Sequence, residues 1–362
     1  MYKIKTSEDP YSGLVTQFVA SNFPRPSVHF SPELTELLTN EILGSKMTRF
    51  GPKPPVESQV AIRDVIRKYT KEGLPIPFMV PWGSEKPNGT GVDIAELSGL
   101  KTISCLSGAI SRHYLAGAVF NIRVEDVSAP HLFYDRADQA RAEAKLYSDA
   151  FEAMPRVLDM PFIKIVRESS IVDEATFNAE ADKLITAFSE VITDVLQWTL
   201  MSKRGELSMQ WLATQGWTGE LQKVTIEHYL ATYARMYPGE NVENHIHRLA
   251  RYFAASLTRK RLKLRGDDPA WDGSFIDLSF AGPVPGTEAV FGRRVNYRTI
   301  PSTITQNHLP PWRAKGYLKI GGDNEVNPAL ASFREEQEYN PNQVTLENNG
   351  ESVTLQADYI LI

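Results

Sequence analysis

A single cysteine, Cys105, in 362 residues leaves no internal disulfide framework and no multi-cysteine zinc site around which a fold could be built. No apolar run approaches the roughly 20 residues that span a bilayer. The N-terminal MYKIKTSEDP lacks the apolar core of a signal peptide. These absences point to a cytoplasmic protein of a reducing compartment. Positive charge is not in excess: 39 Lys and Arg stand against 44 Asp and Glu, for a net charge of −5. There is thus no global case for nucleic-acid binding. The chain has no Walker loop, no G-x-G-x-x-G after a strand, no G-x-S-x-G and no HExxH. Internal repeats and low-complexity segments are missing as well.

What is present is a composition ordinary for a globular protein, 42% hydrophobic and 23% charged. The length suits one large domain or two smaller ones. Residues 1–58 read as an N-terminal arm with a short helix from Pro32 to Leu43, capped by Ser31. A helix is expected from Glu57 to Lys71, stopped by Gly73. Strands and helices then alternate. The apolar strand Ile76–Val80 stops at Pro81, and a helix carries Ile94, Leu97, Leu100, Ile103, Leu106 and Ile110. Ala118–Val124 is a second strand. A charged helix from Asp135 to Ala153, a strand at Phe162–Arg167 and an amphipathic helix from Asp173 to Leu200 follow. Helical patterning continues from Ser208 to Arg261. Beyond residue 266 come short strands at Phe275–Phe280, Val290–Tyr297, Gly316–Ile320, Val344–Leu346 and Val353–Leu361. The expected fold is α/β, a mixed or parallel Rossmann-like sheet with flanking helices and a β-rich C-terminal portion. Its parts are the arm (1–58), an α/β core with a helical insertion (59–266), and a β-rich portion (267–362) that either stands apart or completes the same domain. Cys105, mid-helix on an apolar stripe, reads as a buried structural thiol.

Loops after the carboxyl ends of α/β strands are where ligands usually sit. The loop after Pro81, WGSEKPNGTG, carries Lys86 and Asn88 among glycines. The ammonium of Lys86 suits a phosphate, a carboxylate or a polarised carbonyl. Asn88 fits either a binding role or turn geometry alone. Asp93 and Glu96, three apart at a helix start, complement the helix dipole or pair to hold a substrate amine. Glu125 and Asp126 end the next strand, as turn residues or as groups facing a site.

The stretch Pro81…Lys86-Pro87-Asn88, Val92-Asp93-Ile94-Ala95-Glu96, Tyr114-Leu115-Ala116-Gly117-Ala118 and Glu125-Asp126 resembles the isocyanide (isonitrile) synthase family, the pyoverdine/dityrosine biosynthesis proteins. The likeness covers about 60 residues. Here the loop is one residue shorter than in the family, with nothing between Lys86 and Pro87. Pro311-Trp312-Arg313 is similar to the family's Pro-Trp-His, with arginine in place of the histidine. The family's Arg-Leu-Ser-Ile-His falls near Arg261–Arg265, where there is again no histidine. Histidine cycles a proton near neutral pH and arginine does not. The resemblance implies condensation of an amino acid's amino group with the carbonyl of ribulose 5-phosphate, with no metal and no organic cofactor. It implies Lys86, Asp93 and Asp126 as catalytic groups, and Asn88, Glu96, Arg259, Arg261 and Arg313 as binding groups. Either isonitrile chemistry has diverged here or another group moves the protons.

Basic residues add a second possibility. If Arg259–Arg265 is extended, Arg259, Arg261, Lys263 and Arg265 share one face and call for an anion or an acidic partner. A solvated face or a helix end is the alternative. Arg293, Arg294 and Arg298 form a second basic group. They leave open an enzyme acting on nucleotides or nucleic acid, and loss of the family histidines leaves open a non-catalytic protein. Among the histidines, His131 follows the Asp126 strand and can reach the same pocket. His113 suits a helix C-terminus, and His245-x-His247 sits on different faces of a helix and makes a poor metal site.

Overall fold

A computed structural model describes residues 3–6, 34–44, 54, 56–84, 86, 91–197, 201–217, 221–264, 274–280, 294–297, 310–331 and 338–362. Asn88, Arg265, Arg293 and Arg298 lie outside them. The described strands form three sheets. The central one has five parallel strands in the order β4-β3-β2-β5-β6: β2 is Ile76–Trp82, β3 Ala118–Val124, β4 Ile163–Arg167, β5 Ile276–Ser279 and β6 Arg294–Asn296. The chain winds outward from β2 to β4, then returns to the other side of β2 for β5 and β6. The winding therefore reverses between β2 and β5, the position at which open α/β sheets bind ligands. The last two strands come from beyond residue 266, so the C-terminal portion supplies part of the central sheet.

The strand β2 runs through Pro81 to Trp82 instead of stopping at the proline. Pro77 and Pro81 both occupy this central strand, where a missing N–H should break a ladder. The register explains why they are tolerated. Ile76 donates its N–H to Gly117 (3.0 Å) and Trp82 accepts from Glu125 (2.8 Å), so the even-numbered residues face β3. The prolines face β5, and that ladder is confined to Phe78↔Ile276 and Met79↔Asp277. They flank the short ladder without interrupting it.

Helices α1 (Leu34–Gly44), α2 (Val56–Glu72), α3 (Ile94–Ser111) and α5 (Ala137–Val157) pack with one face of this sheet in a single apolar core. Between β3 and α5 lies a one-turn helix, α4 (Ala129–Leu132). Gly73, at φ +67°, ends α2 in the left-handed region that favours glycine. Along α3 the buried positions cover most of the circumference, leaving a narrow outer stripe of Lys101, Ser104, Cys105 and Gly108. Cys105 is exposed on that stripe, contrary to the sequence expectation: its position, two beyond Ile103, turns it away from the core side.

Four helices between β4 and β5 build a second core: α6 (Glu174–Gln197), α7 (Lys203–Thr214), α8 (Lys223–Met236) and α9 (Val242–Arg261). The two smaller sheets complete the chain. One is β11-β7-β8 (Tyr359–Leu361, Lys315–Ile320, Val326–Ala331). The other is β1-β9-β10 (Lys3–Thr6, Gln343–Asn348, Glu351–Gln356), which joins the N-terminal arm to the C-terminal portion. Gly316 on β7 passes directly against the start of α3. A methyl group there would stand 2.1 Å from the Ala95 nitrogen and 2.6 Å from the Ile94 carbonyl carbon. Gly316→Ala should therefore cost about 1–3 kcal/mol in urea denaturation. Gly322→Ala, where nothing lies within 4 Å, should stay within about 0.5 kcal/mol of the parent.

Candidate functional site

Asp93 caps α3: its side chain accepts from Ala95 N (2.7 Å), while Glu96 Oε2 accepts from the Asp93 N–H (2.9 Å). This capping box fixes both carboxylates at the helix N-terminus. The carboxyl end of β2 delivers Lys86 onto them. Its Nζ lies 2.9 and 2.8 Å from the two Glu96 oxygens, 3.0 Å from Asp93 Oδ1 and 3.1 Å from the Pro311 carbonyl. Four acceptor atoms surround an ammonium with three N–H bonds. All three side chains are buried. Asp93 Oδ2 also accepts from Gly316 N (3.1 Å), and Tyr147 on α5 donates to Glu96 Oε1 (3.1 Å). Trp82 Nε1 donates to the Tyr147 hydroxyl (2.7 Å), and its indole lies against Phe151 and Trp312.

The pair Asp93 and Glu96 thus holds an amine, and that amine is the chain's own. One cation faces two carboxylates where water is excluded, leaving one negative charge over. Burial, reinforced by the charge of Asp93, pushes the Glu96 carboxyl up to about 8 against the pull of Lys86. A group with such a value can hold or release a proton near neutral pH. Burial, with Glu96 beside it, raises Tyr147 well above the usual phenol range.

A second buried cluster lies at the ends of β3 and β4. Arg259, near the C-terminus of α9, donates to Glu168 Oε2 (3.0 Å) and to the Ser128 hydroxyl, and pairs with Glu125 (3.2 Å). Ser84, after β2, links the clusters by donating to the Glu125 carbonyl (3.3 Å). Asp126 takes a different direction, accepting from Ser169 N (3.0 Å) and the Ser169 hydroxyl (2.5 Å) and so pinning the turn after β4. Arg261 pairs with Glu180 (3.1 Å). The extended reading of Arg259–Arg265 is corrected here. The segment is a helix end, which sets Arg259 and Arg261 about 200° apart instead of on one face. Arg313 is half-buried in a turn between Pro311 and β7, and its charge reaches Tyr229 on α8.

Of the sequence-derived residues, then, Lys86, Asp93 and Glu96 converge, and the Pro311 carbonyl brings the Arg313 turn beside them. Arg259 and Arg261 meet carboxylates of their own, and Asn88 lies outside the described residues. His131 is buried between Arg251 and Phe177; burial and the Arg251 charge push it down to about 3, so it is neutral at ordinary pH. His113 sits against Glu41 (3.3 Å) at the end of α3. His245 is buried near the start of α9. Among the described residues no group of three or more His, Cys, Asp or Glu could hold a metal, and no helix is long and apolar enough to cross a membrane.

The polar side chains of β3 and β5 escaped the sequence reading. AVFNIRV and IDLS alternate apolar and polar residues, unlike the continuous apolar runs usual in parallel strands. Phe120, Ile122, Val124, Ile276 and Leu278 enter the core. Asn121, Arg123, Asp277 and Ser279 point to the other face.

No family model and no curated protein matches the chain. Among solved structures it is similar to the PvcA protein from Pseudomonas aeruginosa, with a TM-score of 0.52 at 17% identity over 90% of this chain and 99% of that one. This likeness is one of fold. A tyrosyl-tRNA synthetase from Archaeoglobus fulgidus matches 60% of this chain and 58% of its own at 14% identity, with a TM-score of only 0.27.

Two outcomes test the ionic clusters. Lys86→Met leaves the buried Asp93 carboxylate without its cation and Glu96 without a donor, and should cost about 3–5 kcal/mol in urea denaturation; a loss below about 1 kcal/mol would contradict the pairing. In the unfolded chain Glu96 releases its proton near its ordinary value of 4.5, whereas the folded state keeps it to about 8. Stability should therefore fall as pH rises through that window, and Glu96→Gln should flatten the slope.

Proposed function

We propose that the chain is an isocyanide synthase-like biosynthetic enzyme that condenses the amino group of an amino acid with the carbonyl of a sugar phosphate such as ribulose 5-phosphate. Three things support this reading. The segment from Pro81 to Asp126 resembles the family, and the fold over 90% of the chain is like that of PvcA, so the resemblance sits within one α/β framework. The observation that carries it furthest is the convergence of Lys86, Asp93, Glu96 and Tyr147 at the carboxyl end of β2, where the winding of a parallel sheet reverses and burial pushes the Glu96 carboxyl well above the usual carboxylate range.

Joining an amine to a carbonyl requires a proton to leave the nitrogen and water to leave the adduct. General acid–base groups serve best when they titrate near the working pH. Arg313 cannot play that part, although it can hold a phosphate or carboxylate. Glu96 has the matching proton affinity, and Lys86 and Tyr147 are its hydrogen-bonded neighbours. In this reading Lys86 sets the position and charge of Glu96 and of the Pro311 turn. To bind phosphate directly it would have to surrender bonds it already makes.

That saturation favours one alternative, a protein that has kept the fold without the reaction. A reading on nucleic acid loses its motivation at Arg259 and Arg261, both of which are paired with carboxylates.

Mass spectrometry of the protein incubated with ribulose 5-phosphate and an amino-acid pool separates the readings. The enzyme reading expects a product with one carbon more and two hydrogens fewer than the amino acid: the sugar's carbonyl carbon stays on the nitrogen, its oxygen leaves as water, and its two carbon–carbon bonds break so that the other four carbons leave as separate fragments. Glu96→Gln and Arg313→Ala should each lower its yield at least tenfold. No consumption of either substrate by the parent protein overturns this reading and leaves the non-catalytic one.

A further inference from the structure

Arg251, in the middle of α9, is held between two histidines. Its Nε donates to His247 Nε2, one turn earlier on the same helix (3.0 Å). Its Nη1 donates to the His131 carbonyl on α4 (3.1 Å) and faces His131 Nδ1 (3.4 Å). The Tyr134 ring lies against the guanidinium at 4.5 Å and meets the His247 ring edge-on. Here the helical module grips the segment that follows β3. Val127 and Leu132 of that segment pack into the module's apolar core, and Glu125 and Ser128 on it bind Arg259.

A guanidinium has donors only, so each imidazole nitrogen that faces Arg251 must bring a lone pair. Both histidines are therefore neutral while this contact is closed. A proton on His247 Nε2 or on His131 Nδ1 would remove an acceptor and set two cations against each other. Little nearby charge compensates. Asp182 on α6 is 3.9 Å from Arg251 and 3.8 Å from His131, and its side chain is 59% exposed. Arg259 adds positive charge near His131, and Arg248 adds it near His247. Asp135 and Glu240 are taken by Arg248. The other α6 neighbour of His131, Phe177, is uncharged. His131 itself is buried, and its Nε2 has no hydrogen-bond partner. Burial and the Arg251 charge hold both imidazoles below their ordinary range, His131 at about 3.

We propose that Arg251 with His131 and His247 is an acid-sensitive latch: uptake of a proton by either histidine releases Arg251, and the helical module loosens its hold on the segment after β3 in mildly acidic solution. The sign follows from linkage. In the open state an imidazole takes its proton near its ordinary value of 6.5, and in the closed state only at lower pH. The latch has its full strength above 6.5 and weakens as pH falls below it. Between pH 7.5 and 5.5 His131 alone multiplies the opening equilibrium by about ten, and His247 contributes a further factor of up to about ten. Glu96 acts in the opposite direction, because its raised carboxyl costs stability as pH rises. The latch is independent of the isocyanide reading.

Amide hydrogen exchange of the full chain, expressed as protection relative to the unfolded-chain rate at each pH, tests the latch. Peptides spanning 128–136 should lose protection by about tenfold or more between pH 7.5 and 5.5, while peptides spanning 118–124 of the central sheet should change less than about threefold. His131→Asn and His247→Gln keep an amide oxygen where the imidazole nitrogen accepts, and neither takes up a proton. Each should remove its share of the loss, and the double variant should be flat over this range. Arg251→Gln opens the latch at every pH. It should lower the protection of 128–136 already at pH 7.5 and show no further loss at 5.5, and it serves if the histidine variants do not fold. Unchanged protection of 128–136 in the parent protein overturns the inference. A folded double variant that still loses protection on acidification overturns it too, as does an Arg251→Gln protein that keeps the parent's pH dependence.

Discussion

The Lys86 ammonium lies where six parts of the chain meet. It comes from the loop after β2 and binds the two carboxylates that start α3. It also holds the carbonyl of Pro311, 225 residues further on. Through Asp93 the same cluster reaches Gly316 on β7, and through Glu96 it reaches Tyr147 on α5. Beside it, Gln356 at the end of β10 donates its N–H to Val92 (3.0 Å). A buried ion cluster adds little net stability compared with apolar packing, yet it is costly to break. It therefore acts mainly as a specification: only one docking of the C-terminal portion satisfies every member. Arg259 has a similar role for the helical module, joining α9 to the ends of β3 and β4 through Glu125, Ser128 and Glu168.

These clusters divide the labour along the central sheet. One face is apolar and buried against helices. The carboxyl ends of β2, β3 and β4 carry the paired charges. On the opposite face the strands flanking β2 carry polar side chains, Asn121 and Arg123 on β3 and Asp277 and Ser279 on β5, which parallel sheets seldom allow. The two prolines of β2 belong to the same design, since they confine the β5 ladder to two residue pairs at the strand where the winding turns.

Much of the architecture was legible in the sequence because it is local. The 3.6-residue periodicity gave the helices, Gly73 marked an end, and Asp93 with Glu96 marked a helix start. What was not legible depends on distant partners. Nothing near Lys86 indicates that its ammonium is taken up by the chain itself, because one of its acceptors is a backbone carbonyl in the C-terminal portion. Strand β8, with a proline at its centre, lacks a strong strand pattern and forms by pairing with β7. Cys105 looked buried because α3 is apolar almost all round, and the narrow exposed stripe shows only when its neighbours are in place. The alternation in AVFNIRV and IDLS was visible, but its meaning depends on the register that aligns Asn121 with Asp277 across Met79.

One ammonium shared by two buried carboxylates leaves a proton on Glu96 near neutral pH. Carbon-13 NMR of the Glu96 carboxyl, assigned by comparison with Glu96→Gln, measures it directly. A midpoint near 8 is the predicted result. A midpoint at the ordinary value of 4.5 would show that Lys86 keeps both carboxylates ionised.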